Sequence, residues 1–407
     1  MQRREYYRGR DFRRAINIEE LRRVAHRCLP RFALEYLECG AEDEITLRRN
    51  RSIFEQIAFL PRTLVDVGRR DLSTELFGAR VGAPLVIAPT GLNGILRHRA
   101  DFALASAARA AGIPFTLSTL GTARIEDLVA QVGGSIWFQM YNMRDREFWK
   151  RLVKRADSAM CQALVITSDV PVYGNREWDA RNYVATAQLS LRSKLEVLRH
   201  PRWLLDVMVR HGQPRFENLT DILPKGDTRA IKGAKYVTEQ LDPTLNWNDI
   251  RMLRDLWPRA LVVKGVMTGE DARRALELGA DGIVLSNHGG RQLDSIASPM
   301  EVLPEVAAAV GNRLTILIDG GFRRGTDVAK ALALGANAVM IGRSTLYGVA
   351  AGGEGGASHA LGILRAELDR TLALLGCTSV RELGPHLVQF RRCGGTGLTS
   401  DFFTSRD

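Results

Sequence analysis

Eight short apolar runs, each stopped by a polar residue or a glycine, constrain this chain more than any other feature. They are 85–90, 115–119, 136–141, 163–169, 261–265, 282–287, 315–320 and 338–343. The runs are rich in Val, Ile and Leu and do not alternate with polar residues, which predicts strands buried on both faces of a parallel sheet. Helical patterns lie between them, for example over 101–111 and 271–278, and Thr268 followed by Asp271 resembles a capping box. The stretch 275–285, with Gly279 at its centre, is echoed by 331–341 around Gly335. A helix–glycine–strand unit repeated through the chain predicts a single closed (β/α)8 TIM barrel of the α/β class. A chain of 407 residues accommodates such a barrel as one domain. No Gly-x-Gly-x-x-Gly follows the first run, which argues against an open dinucleotide-binding sheet.

The connections are short except between the fourth and fifth runs, so a long insertion after strand four is predicted over about 170–260. Within it, about 188–212, Leu191, Leu195, Leu198, Trp203, Leu204, Val207 and Met208 are interleaved with Arg192, Lys194, Arg199, Arg202 and Arg210. This basic amphipathic pattern suits a membrane interface, and equally a helix covering the barrel or a subunit contact. The barrel domain is expected over 17–390. A basic tail, 1–16, carrying Arg3, Arg4, Arg8, Arg10, Arg13 and Arg14, and a C-terminal tail, 391–407, flank it.

The formal charge of +11 favours anionic partners, yet no zinc-finger or RNA-recognition pattern accompanies it, so no nucleic-acid partner is expected. Cys28, Cys39, Cys161, Cys377 and Cys393 show no Cys-x-x-Cys spacing, and the histidines show no metal-binding spacing; free thiols in a reducing compartment and no metal are expected. No apolar run is long enough to span a bilayer, and the residues after Met1 lack the apolar core of a signal peptide. The expected location is cytoplasmic, with peripheral contact at the inner face of a membrane through about 188–212.

A barrel of this kind builds its active site at the carboxyl ends of its strands. Polar residues fall there in every unit: Thr90, Ser118, Gln139 with Tyr141, Thr167 with Asp169, Lys264, His288, Asp319 and Arg343. The densest stretch runs from Ser286 to Asp294 and sets His288 three residues before Arg291, with two glycines between. Histidine titrates near neutrality and accepts a proton, while Arg pairs bidentately with a carboxylate. Asp169 is placed to orient His288. After strands seven and eight, the stretches 319–325 and 341–343 join glycines to arginines, a common phosphate-binding device in barrels. Lys264 suits an anionic cofactor ring, and Gln139 and Thr167 a heteroaromatic edge. Residue chemistry alone permits FMN or a sugar phosphate here.

These residues carry a resemblance that runs from about Asn17 to Ser379. The stretches 36–43, 137–141, 263–265 and above all 286–294 resemble the FMN-dependent 2-hydroxy-acid dehydrogenase and oxidase family. The resemblance implies FMN as cofactor and oxidation of an (S)-2-hydroxy acid to the 2-oxo acid. His288 would be the base, supported by Asp169, with flavin N5 accepting the hydride or electrons. It implies that Arg291, Arg176 and Tyr36 hold the substrate carboxylate and that Tyr141 lies near the substrate hydroxyl. For FMN it implies Pro89, Thr90, Gly91, Ser118, Gln139, Thr167, Lys264 and Ser286 around the ring. Asp319, Gly321, Arg323, Gly342 and Arg343 would face the ribityl chain and phosphate. The stretches 89–94, 200–203, 256–258 and 298–303 resemble the mandelate-oxidising branch. Gly91 and Leu120 replace an alanine and a tryptophan of the glycolate-oxidising branch, leaving room for an aryl or bulky side chain. The resemblance further implies a homo-oligomer and quinone or oxygen as electron acceptor.

The alternatives within this class are an L-lactate dehydrogenase or a short-chain 2-hydroxy-acid oxidase. From other classes come an FMN-barrel isomerase and a non-catalytic flavin- or phosphate-binding barrel. The pair Arg176 and Arg291 argues against the isomerase, whose phosphorylated isoprenoid substrate has no carboxylate. Retention of both His288 and Arg291 argues against a degenerate site.

Overall fold

The computed structural model describes residues 6–185, 188–223 and 239–390. The eight predicted runs form β1 (Leu85–Ile87), β2 (Phe115–Ser118), β3 (Ile136–Tyr141), β4 (Ala163–Thr167), β5 (Ala260–Val266), β6 (Gly282–Leu285), β7 (Thr315–Ile318) and β8 (Ala338–Ile341). All neighbours are parallel, and β8 pairs with β1 to close the barrel. Inward-facing Val86, Trp137, Val165, Val262, Val284, Leu317 and Met340 fill its interior. The outward-facing residues join a second core beneath the helices. A hairpin, Thr74–Leu76 with Ala79–Val81, closes the amino-terminal end, where Phe77 packs 5.4 Å from Trp137. With both faces of every strand buried, period-two alternation has no reason to exist, as the continuous apolar runs require.

The predicted helices are present as Ala100–Ala111 and Gly269–Glu277. The predicted box at the second is only half made. The Thr268 hydroxyl oxygen accepts from the Asp271 N–H, but the Asp271 carboxylate takes the Thr268 hydroxyl proton instead of the Thr268 backbone N–H. A full box forms instead at Asn246 and Asp249.

Two helices precede the barrel, α1 (Ile18–Cys28) and α2 (Arg31–Glu38). Asn17 caps α1 through a bond from the Glu20 N–H, and Leu21, Val24 and Ala25 give it a buried face. Residues 6–16, expected as part of a solvated tail, instead lie along the body. The Tyr7 N–H bonds to Glu20 and Arg27 bonds to the Gly9 carbonyl, while Phe12 packs edge-on against His359. Arg3, Arg4 and the expected tail 391–407, with Cys393, lie outside the described residues.

The last helix, Arg343–Leu375, is two helices joined at a kink where Gly352 and Gly353 leave helical geometry. The kink folds the chain back so that Gly348 and Gly356 meet backbone to backbone. A Cβ on Gly356 would lie 1.9 Å from the Gly348 carbonyl oxygen. Gly356→Ala is expected to cost about 1–3 kcal/mol of stability through overpacking. The urea midpoint measures this, and an unchanged midpoint would contradict the contact.

The insertion after β4 includes the helix Leu191–Val197 and a helical segment over 201–209. Not every apolar side chain of the predicted amphipathic stretch faces outward. Trp203 and Val207 are buried, and the Trp203 indole N–H bonds to the Ile95 carbonyl at 2.8 Å. Leu204 and Met208 also pack on the core. The outward apolar set is Leu191, Leu195, Leu198, Leu205 and Val209, with relative exposures of 72%, 58%, 64%, 46% and 62%. The segment therefore covers the barrel with one face and leaves an apolar face open.

Candidate active site

The turn after β6 sets His288 in the left-handed region, φ 56°, followed by Gly289 and Gly290, also at positive φ. Such a conformation is uncommon for a residue with a Cβ and concentrates at functional positions. Its Nδ1 lies 3.1 and 3.3 Å from the two carboxylate oxygens of Asp169, which follows β4. That pairing turns Nε2 away from the carboxylate, and His288 lines a cavity of about 1000 Å³ at the carboxyl ends of the strands. Burial pulls the His288 pKa down, Asp169 opposes, and Lys264 and Arg176 reinforce burial, so the imidazole sits below its ordinary value. Burial pushes the Asp169 carboxyl up, but His288 and Lys264 hold it below the usual carboxylate range. At neutral pH the pair is thus a neutral imidazole on a carboxylate, a base that is stabilised once it takes a proton.

Arg291 and Arg176 are brought together over the same cavity. The Arg291 guanidinium donates to the Cys39 carbonyl at 2.9 Å and lies 5.4 Å from the centre of the Tyr36 ring. Arg176 donates from Nε to the Arg291 carbonyl at 3.2 Å. The Tyr36 hydroxyl donates to the Gly91 carbonyl at 3.2 Å, and the Tyr141 ring stands 6.4 Å from that of His288. Burial raises the pKa of both phenols, so each is a neutral hydrogen-bond donor. Neither arginine has a carboxylate partner within ion-pair distance among the described residues, which leaves two cations facing one space. Gly91 and Leu120 both line that space, and a Cβ on Gly91 would come within 2.9 Å of the Leu120 Cβ.

At the other end of the cavity the sites predicted for a cofactor separate into two groups. Pro89, Thr90, Gly91, Lys264, Asp319, Gly321, Arg323, Gly342 and Arg343 line it. Ser118, Gln139, Thr167 and Ser286 do not. Instead the Ser118 hydroxyl donates to Gln139 Oε1 and Gln139 Nε2 to Thr167 Oγ1, both at 2.8 Å, linking β2, β3 and β4. Ser286 Oγ accepts from Lys264 Nζ at 2.7 Å and from the His288 N–H at 3.1 Å, tying the cation to the base.

Lys264 also reaches Asp319 Oδ2 at 3.4 Å, and Asp319 Oδ1 is buried with no partner. Burial lowers the Lys264 pKa, but Asp319 and Asp169 raise it further, so the ammonium keeps its charge. Arg343 donates to the carbonyls of Leu37, Gly289 and Cys39. It makes no ion pair among the described residues, and burial and the charge of Arg291 outweigh Tyr347 and Glu38 and pull its pKa down to about 10. Arg323 is held partly by Glu19, at 3.3 Å. Gly321, φ 83°, lets the loop touch helix Ile45–Ser52, since a Cβ there would fall 2.0 Å from the Asn50 carbonyl oxygen.

Several residues of the site give no signal in sequence spacing. Gln292 accepts from the Gly174 N–H and from Arg176, and donates to the carbonyls of Asp169 and Val172, fastening the loop after β4 to the loop after β6. The Tyr173 hydroxyl accepts from Arg176, and the Asp179 carboxylate faces Arg176 and Arg291. Beyond Arg323, the cavity wall includes Arg22 and His26 of α1, both bonded to Glu38 of α2. Burial pushes Glu38 up, but the hydrogen bonds from His26 and Arg22 hold it at about 2.

A model of the FMN-dependent dehydrogenase family matches residues 25–390. (S)-Mandelate dehydrogenase of Pseudomonas putida is 47% identical over 376 residues, 92% of this chain and 94% of that protein. The putative L-lactate dehydrogenase of Mycobacterium tuberculosis is 42% identical, covering 94% of this chain and 91% of that one. Among solved structures, that of the monotopic membrane protein (S)-mandelate dehydrogenase superimposes with a TM-score of 0.89 at 46% identity, covering 93% of this chain and all of that chain.

Proposed function

The chain belongs to the FMN-dependent dehydrogenase family, and from that premise we propose that it oxidises an (S)-2-hydroxy acid with an aryl or bulky side chain to the 2-oxo acid. The observation that carries this reading is the His288–Asp169 pair facing the same cavity as Arg291 and Arg176. A base beside two unpaired cations suits a substrate that carries a carboxylate next to a C–H and an O–H to be oxidised. The apolar wall, with Leu120, Ile95, Leu96, Phe216 and Leu241, accepts a large side chain.

The donor set fits FMN on this structure's own terms. A buried ammonium that lines the cavity, a buried aspartate oxygen lacking a partner and a buried guanidinium that makes no ion pair among the described residues are what a flavin ring, a ribityl hydroxyl and a phosphate would each satisfy. The last helix begins at Arg343 with Gly342 as its N-cap, and Gly342, Arg343 and Ser344 line the cavity there, so that a helix amino terminus is available to an anion. Lys264 would hold the ring, Asp319 the ribityl chain, and Arg323 and Arg343 the phosphate. When bound, FMN supplies the two-electron acceptor.

This chain's residues do the rest. Arg291 and Arg176 grip the carboxylate, Tyr36 and Tyr141 donate hydrogen bonds beside it, and His288 Nε2 receives the proton. Whether that proton leaves oxygen or carbon, Asp169 stabilises the resulting imidazolium. Gln292 keeps the clamp and the base in register. The open apolar face of about 188–212 gives the protein peripheral contact with a membrane, in keeping with its resemblance to a monotopic protein. Among the described residues no helix is long and apolar enough to cross one.

An anaerobic visible spectrum tests the reading. Flavin bands are expected, bleached by (S)-mandelate and far less by (S)-lactate. Bleaching by lactate alone would replace the aryl substrate with a short one, as in the L-lactate dehydrogenase relatives, and bands unmoved by any 2-hydroxy acid would remove the reaction.

A further inference from the structure

α2 ends beside the substrate clamp, and the way it ends joins two stretches that lie far apart in the chain. Carbonyls at the end of a helix have no partner inside it. Arg343 supplies two of them, donating from Nε to Leu37 at 3.0 Å and from Nη2 to Cys39 at 3.1 Å, while its Nη1 donates to Gly289 at 2.8 Å. The Cys39 carbonyl is shared, because Arg291 also donates to it, at 2.9 Å. Just beyond, the Ala41 N–H donates to the Gly290 carbonyl at 2.8 Å, and a Cβ on Gly40 would lie 3.0 Å from that same oxygen. The end of α2 and the turn that carries Gly289, Gly290 and Arg291 therefore form one hydrogen-bonded unit. Where that unit sits decides how the Arg291 guanidinium meets the cavity, and Tyr36 travels with it.

Glu38 is the side chain that ties this end of α2 to α1. A carboxylate in the last turn of a helix faces the negative end of the helix dipole and is disfavoured there unless it is paired. Glu38 is paired twice. Arg22 grips both of its oxygens, from Nε at 2.7 Å and from Nη2 at 2.8 Å, and His26 Nε2 lies 2.9 Å from Oε1. Arg22 and His26 stand one turn apart on α1 and so present both groups on one face. A two-pronged guanidinium–carboxylate pair fixes angle as well as distance. α1 is itself seated firmly, with Leu21, Val24 and Ala25 buried. The hydrogen bonds of the Glu38 carboxylate thus run to α1, and it reaches Arg291 by way of the backbone of α2.

We propose that Glu38 is a positioning residue for the substrate carboxylate: by locking the end of α2 onto α1, it holds the Cys39 carbonyl where Arg291 is aimed into the cavity. This rests on the reading of Arg291 as a carboxylate-binding residue. His288 is held by the Asp169 carboxylate and the Ser286 hydroxyl. Neither of those belongs to α2, so the lock governs how well the acid is gripped more than how fast the proton leaves.

Glu38→Gln keeps the shape of the side chain and removes its charge. The test is anaerobic stopped-flow bleaching of the holoenzyme with (S)-mandelate, or with (S)-lactate where that is the acid that bleaches. The apparent dissociation constant is expected to rise about tenfold and the maximal rate to stay within about threefold of wild type. Arg22→Met, made on the other helix, should do the same, and the double variant should be little worse than either single one. Hydrogen–deuterium exchange of the same proteins without substrate gives a readout independent of turnover. Glu38→Gln should speed exchange in peptides covering 36–44 and 286–294 together, and leave helix Gly269–Glu277 as in wild type. An unchanged dissociation constant overturns the proposal. So does faster exchange confined to 36–44, the mark of a local structural pair, and so do losses that simply multiply in the double variant. A lower maximal rate with affinity intact would assign Glu38 to the base and overturns it as well. Wild type bleached by neither acid would instead remove the proposed reaction, and the exchange measurement then decides alone whether Glu38 holds the turn.

Discussion

His288→Ala is expected to yield a yellow, FMN-containing protein whose flavin is bleached by 2-hydroxy acid about 10³–10⁴-fold more slowly than in wild type. The magnitude follows from the loss of a positioned general base in a site where water has little room to substitute. Retention of cofactor follows from geometry: Lys264, Asp319, Arg323 and Arg343 stand on β5 and on the turns after β7 and β8, and none depends on the imidazole for its position. The hydrogen bond that His288 gives to Ser286 comes from its backbone N–H and survives the change. Alanine must adopt φ 56°, which costs about 1 kcal/mol. Stopped-flow bleaching under anaerobic conditions measures the rate, and a rate within tenfold of wild type would assign the proton transfer to another group. Loss of the yellow colour would instead mean that the loop collapsed; His288→Gln, which keeps side-chain volume, then carries the test.

The barrel was legible because its constraint is one-dimensional. A strand buried on both faces has to be apolar throughout, and the residue that ends it has to tolerate the solvent-filled mouth. Both demands leave marks at fixed positions, which is why His288, Asp169, Lys264 and Arg343 could be picked out from strand ends alone. What could not be read was decided by neighbours distant in the chain. Gln139 was expected to face a heteroaromatic ring, and the structure shows both its amide atoms engaged with Ser118 and Thr167 on adjoining strands. Spacing within a strand says which residues lie near the mouth but not which of them reach it. Gln292 sits inside the most conspicuous stretch of the sequence, yet its function as a fastener depends on Val172 and Gly174, more than 110 residues away.

The insertion shows the same limit from another side. Its periodicity marks apolar residues without saying which face meets protein. Trp203 and Val207 turned inward because the loop after β1 offers a carbonyl and a cleft, while Leu195 and Leu198 found nothing to cover them. Arg22, His26 and Glu38 reach the cavity only because α1 and α2 fold across the barrel mouth. No local pattern distinguishes that ion cluster from an ordinary charged helix face.

Asp169→Asn is expected to lower the maximal rate of bleaching by roughly 10²–10⁴-fold, in the range seen when the carboxylate behind a catalytic histidine is neutralised. It should also move the acid limb of the pH profile in a direction that a merely structural change would not. The active form of His288 is the neutral imidazole, so the rate falls as pH drops through its pKa. In the wild type, burial sets that pKa below the ordinary histidine value, Lys264 and Arg176 lower it further, and Asp169 is the group that raises it. Removing the carboxylate removes the opposing contribution and leaves Lys264 unbalanced beside the ring, so the pKa falls again. The variant therefore keeps a larger share of its own maximum at pH 5 than wild type does of its maximum, although both maxima lie on the alkaline side. The loss of rate and the shift of the limb have one cause: the imidazolium formed on proton transfer has lost its counter-charge, which makes the base weaker and the protonated state harder to reach. The logarithm of the maximal bleaching rate, and of that rate divided by the apparent substrate dissociation constant, plotted from pH 4.5 to 8.5, reads both effects. An acid limb that stays in place or moves up, or a maximum equal to that of wild type, would mean that Asp169 does not act through His288.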